Sequence, residues 1–279
     1  MKYALLLFSL FISSVQASEW RTPDPENTVY LELESGTVVI ELAPFVAPEH
    51  VKQFTSLVNE GFYDGLDFYR VIEGFVAQGG DMSGEKASDF KTPLMAEFTR
   101  PLTGTSVFEL VQQDDFFAPQ TGYLHGFQAG RAIIDAQEWL IHCPGVVAMA
   151  RSVDANSATT DFYVVIGQAP RHLDRNMSVF GRVIYGMEHI QGLPRGDARV
   201  NSGVIETPQH RGRILTARLA SKVPETARLN LQIQRTDSKA MQQRLEQGRS
   251  MDNPFFKYKG NGKLDICYYP PRVRVADSD

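Results

Sequence analysis

Between residues 28 and 42 apolar and polar positions alternate, with Val29, Leu31 and Leu33 set against Tyr30, Glu32 and Glu34. After Ser35-Gly36 the apolar set returns as Val38, Ile40 and Leu42. A period of two broken by a turn dipeptide predicts a hairpin with one buried face. The period then lengthens. Pro48 opens a stretch in which Val51, Phe54, Leu57 and Val58 form one stripe and Gly61 supplies a stop, the pattern of an amphipathic helix. Alternation resumes with Phe68, Arg70 and Ile72 on one face and Tyr69 and Val71 on the other. Val76-Ala77-Gln78 is a second short strand closed by Gly79-Gly80. Residues 146–150, 162–166, 179–184 and 214–220 read as core strands, with a short helix over 187–193.

Many strands with about two helices predict a mainly β architecture, a closed antiparallel barrel that leaves no strand edge exposed. Residues 82–142 interrupt it. Pro93, Pro101, Gly104, Pro119, Gly122, Gly126 and Gly130 make this tract read as irregular. An unstructured tract of that length inside a compact unit is unusual, so the segment is either functional or locally folded. Phe108, Phe116, Phe117, Tyr123, Phe127 and Trp139 give it apolar matter with which to pack, or to meet a ligand. Residues 221–279 read as a small α+β extension. Leu229, Leu231 and Ile233 alternate as a strand, 238–247 form a polar helix, and 264–269 form a last strand before Pro270-Pro271.

A chain of 279 residues with 43% hydrophobic and 22% charged residues is long enough for one sizeable core plus an insertion. Its net charge of −5 argues against general nucleic-acid binding. The charge is uneven, because residues 222–279 carry 11 Lys/Arg and 7 Asp/Glu. That basic tail is either a solvated surface or a contact for acidic partners or lipid headgroups. Lys2, the largely apolar run 4–15 and Val15-Gln16-Ala17 before Ser18 have the form of a cleavable export signal, too short to span a bilayer. The expectation is a periplasmic or secreted protein with a signal peptide over 1–17. In that compartment Cys143 and Cys267 form either one disulfide or two buried thiols.

The chemistry concentrates in FYRVIEGFVAQGGD, residues 68–81. If Glu73-Gly74 reverses the chain, Arg70, Phe75 and Gln78 share one face. A forked permanent cation beside an aromatic floor and an amide suits a neutral peptide better than an acid, a phosphate or a metal. Other constellations are weak. His125, His142 and Cys143 lack zinc-type spacing, Ser and His occur without a nucleophile elbow, and Gly79-Gly80 lies in neither a Walker nor a dinucleotide motif. No cofactor and no metal are expected.

The same run resembles the cyclophilin signature, F-(H/Y)-R-hydrophobic-hydrophobic-x-G-F-x-x-Q-G-G-D, at Phe68, Tyr69, Arg70, Val71, Ile72, Gly74, Phe75, Gln78, Gly79, Gly80 and Asp81. Three further stretches follow in family order: TVVIELAPFVAPEHVKQFTSLVNEGFYDG upstream, and GVVAMARSVDANSATTDFYVVIG and HLDRNMSVFGRVIYGMEHI downstream. The resemblance covers residues 28–220 and implies peptidyl-prolyl cis/trans isomerisation, acting on proline-containing polypeptides during the folding of exported proteins. By the same resemblance the insertion falls within 105–140. Arg70, Phe75 and Gln78 would be the catalytic residues. Val76, Tyr163, Leu173 and Met177 would line the prolyl pocket, with His172 at the ring position before Leu-Asp and the backbone at Ala150-Arg151 holding the substrate chain. Three positions depart from the family: Asp161 where an amide is usual, His172 where Trp or Phe is usual, and Met177 where His or an aromatic is usual. Asp161 either pairs with Arg70 and competes for its donors, or points to solvent or Arg151. The rival reading is a cyclophilin-like binding module or chaperone with weak catalysis.

Overall fold

The computed structural model describes residues 18–168 and 170–276; the expected signal segment lies outside them. In chain order, a short strand β1 (Trp20–Arg21) precedes the hairpin β2 (Thr28–Leu33) and β3 (Gly36–Leu42), helix α1 (Pro48–Asn59), and strands β4 (Asp67–Val71) and β5 (Val76–Gly80). Five strands follow: β6 (Arg100–Pro101), β7 (Phe108–Gln113), β8 (Gln120–Leu124), β9 (Phe127–Ala132) and β10 (Gln137–Leu140). Next come β11 (Val146–Met149), β12 (Phe162–Val165), β13 (Val179–Tyr185), the short helix α2 (Met187–Gln191) and β14 (Gly212–Leu219). The chain ends in β15 (Leu231–Gln234), α3 (Lys239–Ser250) and β16 (Val273–Val275).

Eight strands close an antiparallel barrel in the order β11-β12-β5-β4-β14-β2-β3-β13, the β11–β13 pairing completing the ring. The alternating set of the first hairpin, Val29, Leu31, Leu33, Val38, Ile40 and Leu42, points inward and is buried. Helix α1 lays Val51, Phe54, Leu57 and Val58 into the same core, and Phe54 meets Phe162 and Phe180 at ring distances of 5.5 and 4.9 Å.

The outer barrel face is apolar as well, and two further layers cover it. Strands β6 to β10 form a five-stranded antiparallel sheet, order β6-β10-β9-β8-β7. Its Tyr123, Phe127 and Trp139 pack with Val76, Ala148, Tyr163 and Val165 of the barrel exterior and with Met241 and Leu245 of α3. Strands β11 and β12 are therefore buried on both faces, which is why they read as unbroken apolar runs rather than as alternation. Tyr30, Val39 and Ile184 on the far side are covered by Leu231 and Ile233 of β15, part of the sheet β1-β15-β16.

The tract read as irregular is locally folded from Arg100 to Leu140, where it forms the five-stranded sheet, and is irregular over residues 82–99. One expectation is corrected here. Residues 264–269 are not the last strand: Ile266–Tyr268 is a 3-10 turn capped by Asp265, whose side chain accepts from Cys267 N, and the final strand is β16. Leu264 and Ile266 plug into the outer apolar cluster instead. Cys143 and Cys267 are joined as a disulfide with Cα atoms 5.1 Å apart, tying this turn to the segment leading into β11.

The electrostatic centre of the layered arrangement is Glu41 on β3. It accepts from Arg21 Nη1 at 2.6 Å and from Arg182 Nη2 at 2.8 Å, and Arg182 also donates to the Gly126 carbonyl at 2.7 Å. One buried carboxylate thus holds the N-terminal strand, the barrel and the β8–β9 turn together. Burial pushes Glu41 upward, but Arg182 and Arg21 outweigh it and hold the carboxyl below its usual range.

Candidate active site

Strands β4 and β5 are joined by the turn Ile72–Phe75, in which Phe75 N–H donates to the Ile72 carbonyl at 3.0 Å and Gly74 takes φ +70°. Positive φ at the third position marks a type II turn, which glycine adopts without strain. Beyond the turn the register slips. Phe68 opposes Gly79, but Arg70 opposes Gln78, so Tyr69 and Arg70 together face one residue of the partner strand. This is a β-bulge. It breaks the alternation expected for β4: Phe68 and Val71 enter the barrel core, whereas Tyr69 and Arg70 both reach the polar groups of the outer face.

The two bulge side chains converge on opposite ends of the Gln78 amide. Arg70 Nη1 donates to Gln78 Oε1 at 3.1 Å, and Gln78 Nε2 donates to the Tyr69 hydroxyl at 2.6 Å. The Tyr69 hydroxyl in turn donates to Asp161 Oδ1 at 2.8 Å. Arg70 Nε donates to the Ser202 carbonyl at 2.8 Å, from a loop that also pairs Val204 with Arg70. Two hydrogen bonds therefore fix the guanidinium plane, and Nη2 has no partner among the described residues. Burial draws the Arg70 pKa down, which leaves the group charged because a guanidinium starts so high. Burial, and then the Asp161 charge, push Tyr69 far above the normal phenol range, so it stays a neutral donor.

Asp161 does neither of the things expected of it. Its carboxylate accepts from Tyr69 and, at 2.9 Å, from Thr160 Oγ1; no bond joins it to Arg70 or Arg151. Burial raises its pKa, opposed by those two hydroxyls, with the nearby Asp81 charge raising it further. Arg151 is used elsewhere. Its Nε and Nη2 donate to the Asn176 carbonyl at 3.1 and 2.9 Å, and its guanidinium lies 5.3 Å from the Phe98 ring centre.

Phe75, Val76, Ala150, Tyr163, Leu173 and Met177 belong to one apolar cluster, with Phe75, Ala150, Leu173 and Met177 only partly buried. His172 is exposed and stacks on Phe75, centroids 6.3 Å apart and planes within 15°. Tyr163 sits directly opposite Gln78 in the β5–β12 register. Its ring stacks on buried His142, and its hydroxyl is 2.9 Å from His142 Nε2. Gln78, which accepts from Arg70, thus links the oriented cation to this apolar cluster through its register partner Tyr163. The Ala150 N–H donates to the Asp161 carbonyl at 2.8 Å, so this contact is spent inside the barrel.

Three participants lie beyond what the sequence pattern shows: alternation places Tyr69 on the opposite face from Arg70, Ser202 lies 132 residues from Arg70, and nothing in its spacing marks His142 as a partner of Tyr163. The His142 Nδ1 meets Asp174 Oδ1 at 3.0 Å, and no group able to hold a metal occurs among the described residues.

Comparison with known proteins gives a consistent picture. The family model described as cyclophilin type peptidyl-prolyl cis-trans isomerase/CLD matches residues 28–219. A probable peptidyl-prolyl cis-trans isomerase of Brucella suis is 32% identical over 206 residues, 74% of this chain and 89% of that protein. Peptidyl-prolyl cis-trans isomerase B of Bacillus subtilis is 31% identical over 172 residues, 61% of this chain and 93% of its own. Among solved structures, the cyclophilin AquaCyp293 from Hirschia baltica matches with TM-score 0.74 and 30% identity, covering 93% of this chain and 95% of its own. A share that large takes in most of the five-stranded sheet and of the C-terminal layer.

Proposed function

The chain belongs to the cyclophilin-type peptidyl-prolyl cis-trans isomerases, and on that premise we propose that Arg70 turns Xaa-Pro bonds held over Phe75 in exported polypeptides. Rotation about a peptide bond costs about 18–20 kcal/mol because the C–N bond has partial double-bond character. No bond breaks and no proton moves, so neither nucleophile nor general base is needed. In the twisted state the prolyl nitrogen regains its lone pair, and a donor aimed at it stabilises that state over both planar ones. Arg70 suits this role because Gln78 and the Ser202 carbonyl hold its plane while Nη2 remains unpartnered among the described residues. That single observation carries the assignment.

A charge-assisted hydrogen bond supplies roughly 1.5–3 kcal/mol. A rate gain of about 10⁵ requires about 7 kcal/mol. The remainder is ascribed to the pocket of Phe75, Val76, Tyr163, Leu173 and Met177, which grips the ring and excludes water from the amide. The reading as a weak binding module rests on Asp161, His172 and the insertion; the Tyr69 bond to Asp161 weakens the first of these grounds. Protease-coupled turnover of an Xaa-Pro tetrapeptide by the chain and by Arg70→Ala tests the assignment.

Export is supported by the charge and hydropathy pattern of residues 1–17 and by the Cys143–Cys267 disulfide, a bond that persists in oxidising compartments. Fractionation of the native cells with mass determination of the mature N-terminus tests it; a cytoplasmic chain that retains Met1 contradicts it.

A further inference from the structure

A cleft of about 790 Å³ opens between the β7–β8 turn, the C-terminal segment around Leu264–Tyr268, and Arg171 of the barrel. Its aromatic residues are displayed rather than buried. Phe116 is 92% exposed, Tyr268 74% and Phe117 51%, whereas Tyr123, Phe127 and Trp139 of the same insertion are in the core. Exposed apolar groups gathered around a concavity mark a binding surface rather than a packing layer. Arg171 pairs with Asp115 at 2.8 Å, Lys263 Nζ donates to the Asp114 backbone carbonyl at 3.1 Å, and the Asp265 carboxylate accepts from Cys267 N–H at 2.9 Å. The lining sets the cations Arg171 and Lys263 against the acids Asp114, Asp115 and Asp265, so the exposed rings rather than a strong net charge select the ligand, and they favour an apolar segment.

This cleft shares a wall with the prolyl pocket. Arg171 begins the 3-10 turn Arg171–Leu173, in which His172 stacks on Phe75 and Leu173 packs with the pocket cluster. A buried polar chain runs through the wall. Tyr163 meets His142, His142 meets Asp174 Oδ1, Arg171 Nε donates to Asp174 Oδ2 at 2.6 Å, and Arg171 Nη2 reaches Asp115 at the cleft rim. Satisfied hydrogen bonds through this wall keep the cleft and the Phe75 cluster in fixed relation.

We propose that the cleft is an accessory subsite for an uncharged, aromatic- or aliphatic-rich stretch of the same polypeptide whose prolyl bond is being turned. The proposal rests on the assignment of the prolyl pocket above and adds a reason for the insertion and the C-terminal layer to meet there. Short peptides would occupy the prolyl pocket alone; unfolded proteins would occupy both.

The test compares the wild type with the triple variant Phe116→Ser, Phe117→Ser, Tyr268→Ser on two substrates, an Xaa-Pro tetrapeptide and a protein whose refolding is limited by proline isomerisation. Truncation of buried interface aromatics commonly costs more than 1 kcal/mol, so KM for the protein substrate should rise about tenfold while tetrapeptide kcat/KM stays within about twofold. An unchanged KM for the protein substrate overturns the proposal. If both activities collapse in the variant, competition on the wild type decides. A proline-free apolar peptide should then inhibit protein refolding but not tetrapeptide turnover, and inhibition of both or of neither overturns the subsite. A concentration-dependent dimer that the variant abolishes would assign the cleft to a second copy of the chain and likewise overturn it. Arg70→Ala run in parallel separates the two readings: if it leaves tetrapeptide turnover intact, the prolyl assignment fails whatever the cleft variants show.

Discussion

The hydroxyl of Tyr69 donates to Asp161 Oδ1 at 2.8 Å, and this bond decides what the acidic departure at position 161 does. The carboxylate is separated from Arg70 by two neutral groups, the phenol and the Gln78 amide. It orients the relay rather than drawing charge from the cation.

Two substitutions separate these roles. Tyr69→Phe removes the acceptor for Gln78 Nε2 and frees the amide to rotate away from Arg70. Of the two hydroxyl bonds lost, the neutral one that holds Gln78 bears on Arg70, and at about 1 kcal/mol its loss should lower tetrapeptide kcat/KM about fivefold. Asp161→Asn keeps an oxygen for Tyr69 and should leave turnover within about twofold of the wild type. A several-fold gain in Asp161→Asn would show that the carboxylate does restrain Arg70.

Stability should depend on the interlayer carboxylate more than on any surface pair. Glu41 and Arg182 are both buried, with side chains 7% and 9% exposed. Glu41→Gln leaves the Arg182 charge without its carboxylate and should destabilise the fold by about 3 kcal/mol in urea unfolding. A loss below about 1 kcal/mol would mean that Arg182 is satisfied by the Gly126 carbonyl and the Phe127 ring it covers.

Two aspartates near the site should titrate with opposite signs. Asp81 accepts from Ser83 Oγ at 2.7 Å, Lys86 N–H at 2.9 Å and Lys91 Nζ at 3.3 Å; these bonds overcome burial and lower its pKa. A depressed carboxyl contributes stability that is present above its unfolded pKa of about 3.9 and lost as pH falls through the folded value. Asp161, raised by burial, costs stability while ionised, and acid relieves that cost. Asp81→Asn should therefore lower Tm at pH 7, and Asp161→Asn should raise it. In a thermal melt series the Asp161→Asn difference should shrink as pH falls from its raised folded value to about 3.9, and the Asp81→Asn difference only below about 3.9, as pH falls through its depressed folded value. A Tm difference for Asp81→Asn that persists in acid would assign its role to packing rather than to charge.

The barrel was legible because the inward positions of the first hairpin and of α1 are consistently aliphatic or aromatic, so periodicity located Val29, Leu31, Phe54 and Leu57 in the core; it did not show that Tyr30, Val39 and Glu41 on the outer face are buried too, under further layers. The pairing of Arg70 with Gln78 was legible because a short turn between two adjacent strands brings the two residues opposite each other. Tyr69 was not, since a bulge inserts one residue without leaving a mark in the alternation of β4. The five-stranded sheet was hidden by its own glycines. A side chain at Gly122 would meet the Glu109 carbonyl, and one at Gly130 would strike the Trp139 ring, so these glycines allow close packing within strands rather than marking turns. Leu264 and Ile266 alternate as strand residues do, yet the disulfide at Cys267 and the Asp265 cap fold them into a turn.

The central claim is that one oriented guanidinium acts in the twisted state, and Arg70→Ala tests it most directly in the protease-coupled assay on an Xaa-Pro tetrapeptide. Loss of a charge-assisted bond of about 2.7 kcal/mol predicts a kcat/KM lower by about 100-fold. The circular dichroism spectrum and Tm should change little, because Arg70 is only partly buried and has no carboxylate partner among the described residues. A folded Arg70→Ala variant as fast as the parent would contradict the account.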